Sequence, residues 1–435
     1  MADDTKITRR EFVGTMAAAS TALLPISKSN PEGTFADRFP SGTEPVSTGA
    51  PDFAAVRADF PRAARKLWLA ASETHPFNIN TLRALENYTQ YRTLGPGEGR
   101  KSFTREMQDE VKQRFAGIIN AKQEEIAFCL STTDGENIVV AGLDLQKRGG
   151  NVVIDDLHFE ASEYMYSTLA QKGHIELRVV RHRDWKIEMA DVEKAIDKDT
   201  RLVSMALVSN VNGYMHEVKA ISDLAHAHGA LIYGDIIQGA GCTPIDVQAM
   251  GIDCAASSTY KWLMGDFGLG FLYVREDLQG TVIKQTRYGL RQIRMGSGSF
   301  DPRPGAARYE GTTTMGYLPG ICAYEGLKYV TKLGVEHIRT HAKRLIDRLQ
   351  KELPPIGYPS ITPLDCPTPI VSFLTPDSEA TRNKLNKAFG ERVVSQRKWH
   401  KTNEQGETET VSGMRIGISV YNNDDDIDQF LNALS

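Results

Sequence analysis

From about residue 50 onward, short apolar runs alternate with amphipathic stretches of helical period. IAFCL (126–130), NVVID (151–155), IELRVV (175–180), RLVSMALVS (201–209) and ALIYGDI (230–236) are strand candidates. Val, Ile and Leu crowd these runs almost without interruption, as in a strand buried on both faces. A helix is predicted from Asp134, and ADVEKAI and HEVKAISDLAHAHG lie between strands with helical spacing, the latter closing on Gly229 as a C-terminal cap. This alternation predicts a mostly parallel sheet between two helical layers. GLGFLYV (268–274) adds a strand, and a long helical stretch covers roughly 316–352. Behind it, TPIVSFL and MRIGISV belong to a smaller unit. The fold class is α/β, a large domain with a mostly parallel mixed sheet followed by a smaller α+β C-terminal domain.

Composition narrows the function classes. The chain has 435 residues, 41% of them hydrophobic and 24% charged, which excludes a mainly disordered or collagen-like protein. A net charge of -4 gives no overall pull toward nucleic acid or anionic lipid. The five cysteines are scattered and never in a CxxC pair, so they indicate neither a disulfide framework nor a metal site. No uncharged apolar run reaches about 18 residues, so no membrane-spanning helix is expected. Near the start, TRREFVG (8–14) places Arg9-Arg10 and Phe12 before the weakly apolar VGTMAAASTALLPI. This resembles a bacterial twin-arginine export signal. It implies export of the folded protein by that machinery, to the periplasm or outside the cell.

Three stretches carry candidate chemistry. LSTTDGEN (130–137) places small hydroxyl residues at a strand-to-helix junction, where free N–H groups and the helix dipole can hold a phosphate, or serve as an ordinary cap. YGDIIQGAG (233–241) sets Asp235 and Gln238 at the carboxyl end of an apolar strand, the edge at which open α/β sheets bind ligands. A buried Asp there needs a cation or several donors. SSTYKWLMGDFGLGFLYV (257–274) holds Lys261 between Tyr260 and Trp262, ahead of a Gly-rich turn.

In this order, with Lys261 following Asp235 by 26 residues, the stretches resemble the class V aminotransferase superfamily of pyridoxal-phosphate enzymes. That superfamily includes cysteine desulfurases, selenocysteine lyases and isopenicillin N epimerase. The likeness runs from about Leu67 to the C-terminus. It implies fold type I and a homodimer with shared active sites. It further implies that Lys261 forms the internal aldimine with pyridoxal 5′-phosphate and that Asp235 pairs with the pyridine nitrogen. Gln238 and Asn210 would donate to the phenolic oxygen, and Thr132, Thr133 and Ser258 would hold the phosphate. Tyr260 stands where many relatives carry His. In YEGTTTMG (309–316), Gly311-Thr312 resembles the segment that reaches the neighbouring subunit's phosphate, or is a simple turn. In HFEAS (158–162) the ring-stacking position falls on Phe159, and a slip of one residue would give it to His158. MRIGISVYNNDDDIDQFLNAL (414–434) resembles the family's closing motif, whose Arg, here Arg415, binds the substrate α-carboxylate. No metal is implied.

On this reading residues 1–26 are the signal, 27–50 a linker, 51–90 an N-terminal segment packing with the small domain, 91–315 the cofactor-binding large domain, and 316–435 the connecting helix and small domain. One departure bears on the reaction. The desulfurases with a mobile loop Cys carry it before the closing Arg, whereas the corresponding loop here, 393–413, has none. Cys366 lies upstream, beside a predicted strand, where it is expected to be packed. The loop offers Arg397, Lys398, Trp399 and His400, either for a larger or anionic substrate, with His400 as the substrate-binding candidate beside Arg415, or as a solvated loop. The implied function is chemistry at the α-carbon of an amino acid or peptide-linked amino acid. The main reading is isopenicillin N epimerase-like, epimerase or aminotransferase. The alternatives are a C–S or other β-elimination lyase lacking the loop Cys, and, in a different class, a catalytically inactive cofactor-binding protein. Neither nucleic-acid binding nor stable membrane insertion is expected.

Overall fold

The computed structural model describes residues 51–295, 300–402 and 408–435. The twin-arginine stretch and the linker lie outside the described residues.

Seven strands build the main sheet: β1 (Ile126–Cys129), β2 (Asn151–Asp155), β3 (Glu176–Val180), β4 (Thr200–Ala206), β5 (Leu231–Asp235), β6 (Cys254–Ser258) and β7 (Gly270–Val274). Their order is β1-β7-β6-β5-β4-β2-β3. Pairing is parallel throughout except that β7 runs antiparallel to both β1 and β6. The carboxyl ends of β1, β2, β4, β5 and β6 therefore meet at one edge. The helix predicted after ALIYGDI's upstream neighbour spans Val218–Ala227 and ends where Gly229 takes a φ of +77°.

β6 is the strand that the apolar pattern does not reveal. Its sequence, CAASS, is small rather than branched, yet every residue is buried. The reason is a close approach: a Cβ added to Gly135, in the helix Thr132–Leu143, would lie 2.6 Å from the Cβ of Ala256. Small residues on both sides let that helix rest directly on the sheet.

Two short strands, β8 (Ile293–Met295) and β9 (Phe300–Pro302), form a hairpin. The stretch 316–352 is two helices, Tyr317–Leu333 and Val335–Glu352, because Gly334 breaks it with a φ of +80°. The second sheet holds β10 (Ile370–Leu374), β11 (Ser395–Thr402) and β12 (Thr408–Gly417) in the order β10-β12-β11, all antiparallel. Within the segment read as a loop at 393–413, the described residues from Ser395 onward form a ribbon of paired strands, from Ser395↔Arg415 out to Thr402↔Thr408. Gly413 permits this: the Trp399 ring lies where a Cβ would stand. Helices Val335–Glu352, Ser378–Phe389 and Asp424–Leu434 contribute to the apolar cluster of this sheet, together with Leu67 and Leu69. Leu69 also bonds through its backbone to Val393 and Gly417, at 2.9 and 2.7 Å.

Candidate active site

The site grows from the carboxyl edge of the main sheet. After β1, Ser131 caps the helix Thr132–Leu143, accepting the N–H of Asp134 at 3.1 Å. Thr132 and Ser258, at the ends of β1 and β6, interlock: the Thr132 N–H donates to the Ser258 hydroxyl and the Ser258 N–H to the Thr132 hydroxyl, both at 2.9 Å. With Thr133 next in line, the hydroxyls of Thr132, Thr133 and Ser258 gather at the positive end of a helix, a place suited to an anion.

Asp235 ends β5, buried, with its Oδ1 accepting the Ile237 N–H at 3.0 Å. Among the described residues it makes no ion pair. Burial raises its carboxyl above the ordinary range, while the Ile237 N–H and the positive charge of Lys261 oppose the rise. Lys261 follows β6 and is buried too. Burial, then the nearby Arg415, hold its amine below the ordinary lysine range, and Asp235 pulls the other way. An amine so held is more readily a free-base nucleophile.

Gln238 is fixed by two bonds: its Nε2 donates to the Ser72 carbonyl, and its Oε1 accepts from Trp262 Nε1, both at 3.0 Å. A second Nε2–H of that amide remains available to a ligand. The Asn210 Oδ1 is buried without a partner, and the Asn210 carbonyl accepts from Arg415. Arg415, on β12, also donates to the Ser72 hydroxyl at 3.2 Å and the Ser72 carbonyl at 3.4 Å. All these acceptors are neutral, and burial lowers its guanidinium to about 10. A buried cation with only neutral partners calls for an anionic ligand. Tyr260 stacks on Phe267 with ring centroids 4.3 Å apart, and the Lys261 Nζ lies 5.7 Å from its ring.

The structure separates His158 from Phe159. His158 Nδ1 accepts the Phe159 N–H at 2.7 Å, which leaves its Nε2–H to donate to Ser204 Oγ at 3.0 Å. Ser204 in turn donates to Glu136 Oε1 at 2.9 Å. Burial drives His158 down to about 4, so it stays neutral inside this chain. Phe159 is the exposed ring, at the start of helix Glu160–Gln171.

Two site candidates stand apart from Lys261 within one chain. The contacts of Gly311 and Thr312 run to residues 287–291, with the Thr312 carbonyl accepting from the Arg291 N–H at 3.1 Å. His400 is exposed, with Nδ1 3.3 Å from the Thr410 hydroxyl. It points to the opposite face of β11 from Arg397 by strand alternation. The ribbon carries Arg397, rather than His400, toward Lys261 and Arg415.

Sequence reasoning missed Ser72 and Glu73, whose signal was a polar pair directly after the apolar LWLAA. It also passed over Glu136, which is buried and accepts from Ser162 Oγ, Tyr166 Oη and Ser204 Oγ at 2.6, 2.9 and 2.9 Å. Burial, partly offset by Ser162 and Ser204, pushes its carboxyl up to about 7 from an ordinary 4.5. The native protein then holds a proton that the unfolded chain has released, so this contribution is complete below the unfolded value and lost as pH rises through the native one. Wild type should lose stability with a slope of about 1.4 kcal/mol per pH unit from this group over that window. Glu136→Gln should lack that slope in urea titrations at pH 5, 6 and 7, and parallel curves would show that Glu136 does not titrate there.

The set amounts to an anion cradle, a buried carboxylate fit for a protonated ring nitrogen, a Gln238 amide N–H free to donate to a phenolic oxygen, and a buried amine. These groups fit pyridoxal phosphate part by part. The chain matches the family described as aminotransferase class-V over residues 76–430. It is 30% identical over 300 residues to a probable cysteine desulfurase of Methanothermobacter thermautotrophicus, covering 68% of this chain and 74% of the relative. The apo cysteine desulfurase from Thermococcus onnurineus superposes with a TM-score of 0.75 at 23% identity, over 89% of this chain and 98% of that one. A cystine C–S lyase in complex with cysteine persulfide superposes at 0.74 with 20% identity, over 86% and 98%. The fold is thus that of fold type I enzymes, the cofactor is pyridoxal 5′-phosphate, and the chain belongs to the class V aminotransferase family.

Proposed function

We propose that the protein is a β-elimination lyase acting on amino acids that carry a sulfur-linked or similar β-substituent, without a persulfide on the protein. The observation that carries this reading is the site's inventory of reactive groups. Lys261 is a buried amine positioned to move a proton at the substrate α-carbon, whereas all five cysteines are buried and none lies on the ribbon. Pyridoxal phosphate, when bound, supplies the electron sink for bond breaking at that carbon. Asp235 holds the proton on the ring nitrogen, Thr132, Thr133 and Ser258 bind the phosphate, and Arg415 orients the substrate by its α-carboxylate. Gly311-Thr312 serves the partner's phosphate in a homodimer, a role suited to its exposed loop.

Epimerisation needs a second acid on the far face of the substrate. Phe159 has no proton to give, His158 is neutral and committed to Ser204, and His400 faces away, which leaves only a tyrosine such as Tyr260 to serve. Relatives named cysteine desulfurase also favour cleavage at sulfur over epimerisation. The Arg9-Arg10 stretch supports export through the twin-arginine route, which puts the substrate outside the cytoplasm.

The test is to incubate holoenzyme with cystine and S-substituted cysteines and follow pyruvate, ammonia and alanine. Elimination gives equal amounts of pyruvate and ammonia with the freed sulfur compound. Alanine with sulfur retained on the protein would mean desulfuration, and an inverted amino acid without pyruvate would mean epimerisation.

A further inference from the structure

The face of the second sheet that carries Arg415 carries another guanidinium. Ser395 pairs with Arg415 and Arg397 with Gly413. Paired residues share a face and alternate residues return to it, so Ser395, Arg397 and Arg415 project to one side. Arg397 and Arg415 are then diagonal neighbours, with backbones about 7–8 Å apart. Gly413 has no side chain of its own there, and the Trp399 ring, on the same face, covers it beside the two guanidiniums.

The two cations sit in different surroundings. Arg415 is buried among neutral acceptors. Arg397 is farther out, its side chain 41% exposed, and meets Glu73 through Nη2 at 3.4 Å. The same carboxylate serves Arg392 at 3.0 Å and the Ser395 hydroxyl at 3.1 Å. One carboxylate shared by two guanidiniums leaves a positive excess at the rim, and Arg415 adds another charge below it. Glu73 directly follows Ser72, the residue that orients Arg415, so the inner and outer positions are built from one segment.

We infer that Arg397, with Arg392 behind it, forms a second anion subsite for a carboxylate or sulfonate at the far end of the substrate. This rests on the reading of Arg415 as the α-carboxylate site and adds a substrate class to it: amino acids whose side chain ends in an acid. Glu73 holds the subsite closed in the absence of such a group and competes with it. A neutral side chain gains nothing from Arg397.

The experiment measures dissociation constants of succinate, glutarate and adipate against butyrate, by calorimetry on the holoenzyme at low salt. At least one diacid should bind about tenfold more tightly than butyrate, an advantage that salt screens. Arg397→Gln should lose the advantage, Arg397→Lys should keep part of it, and Glu73→Gln should enlarge it. No diacid advantage in wild type, or an undiminished one in Arg397→Gln, would overturn the subsite and leave Arg397 as a clamp on the ribbon. Arg415→Gln separates the two claims: it should weaken every acid in the series. If butyrate binds that variant as tightly as wild type, the α-carboxylate reading falls, whatever the Arg397 variants show.

Discussion

Lys261→Ala should abolish turnover while leaving the apoprotein folded and no less stable. The lysine is buried, and among the described residues it makes no ion pair. Truncating it removes a desolvation cost rather than a bond. Asp235 loses its nearby positive charge, so its carboxyl should rise further and take up a proton more readily. Catalysis loses the group that moves the α-proton, a contribution of about 10²- to 10⁴-fold by itself, and loses covalent retention of the cofactor as well. Steady-state rates together with thermal melts of both apoproteins check this. A melt lowered by many degrees would mean that Lys261 is a structural member of the core, and near-normal turnover would assign the proton transfer to another residue.

The second large effect is expected at Arg415. Arg415→Gln removes the buried charge that the α-carboxylate would meet. Leaving one partner of such a pair unmatched costs about 2–5 kcal/mol, so kcat/KM should fall between about 30-fold and several thousand-fold. The apoprotein should tolerate the change well, because the lost contacts are to Ser72 and Asn210 rather than to a carboxylate. The corresponding decarboxylated amine offers the control: its rate, however low, should be nearly the same in both proteins. An equal loss for acid and amine would show that Arg415 shapes the pocket without binding the carboxylate.

Much of this site was legible because phosphate, ring nitrogen and amine each demand a residue type at a fixed place on the sheet edge. Apolar runs located β1, β2, β4 and β5, and the residues just past their ends named themselves. β6 escaped because its burial depends on small residues under a close helix, which apolar periodicity does not register. The ribbon was read as a loop because Trp399 is its one large apolar side chain before the polar tip, too little to set a period of two. Glu136 was hidden for another reason. Its partners Ser162, Tyr166 and Ser204 come from a helix and a strand far along the chain, so no local spacing announces the cluster. His400, the residue chosen from sequence as Arg415's companion, and Arg397 are told apart by the pairing register with β12, which turns Arg397 to the Arg415 face.

The claim at the centre is that Lys261 carries the cofactor at the end of β6. Borohydride reduction of the purified holoenzyme, followed by proteolysis and mass spectrometry, examines it directly. The expected product is one phosphopyridoxyl group per chain, on the peptide containing Tyr260, Lys261 and Trp262. A label on a different lysine, or cofactor that washes away unlabelled from an active enzyme, would contradict the assignment of this site.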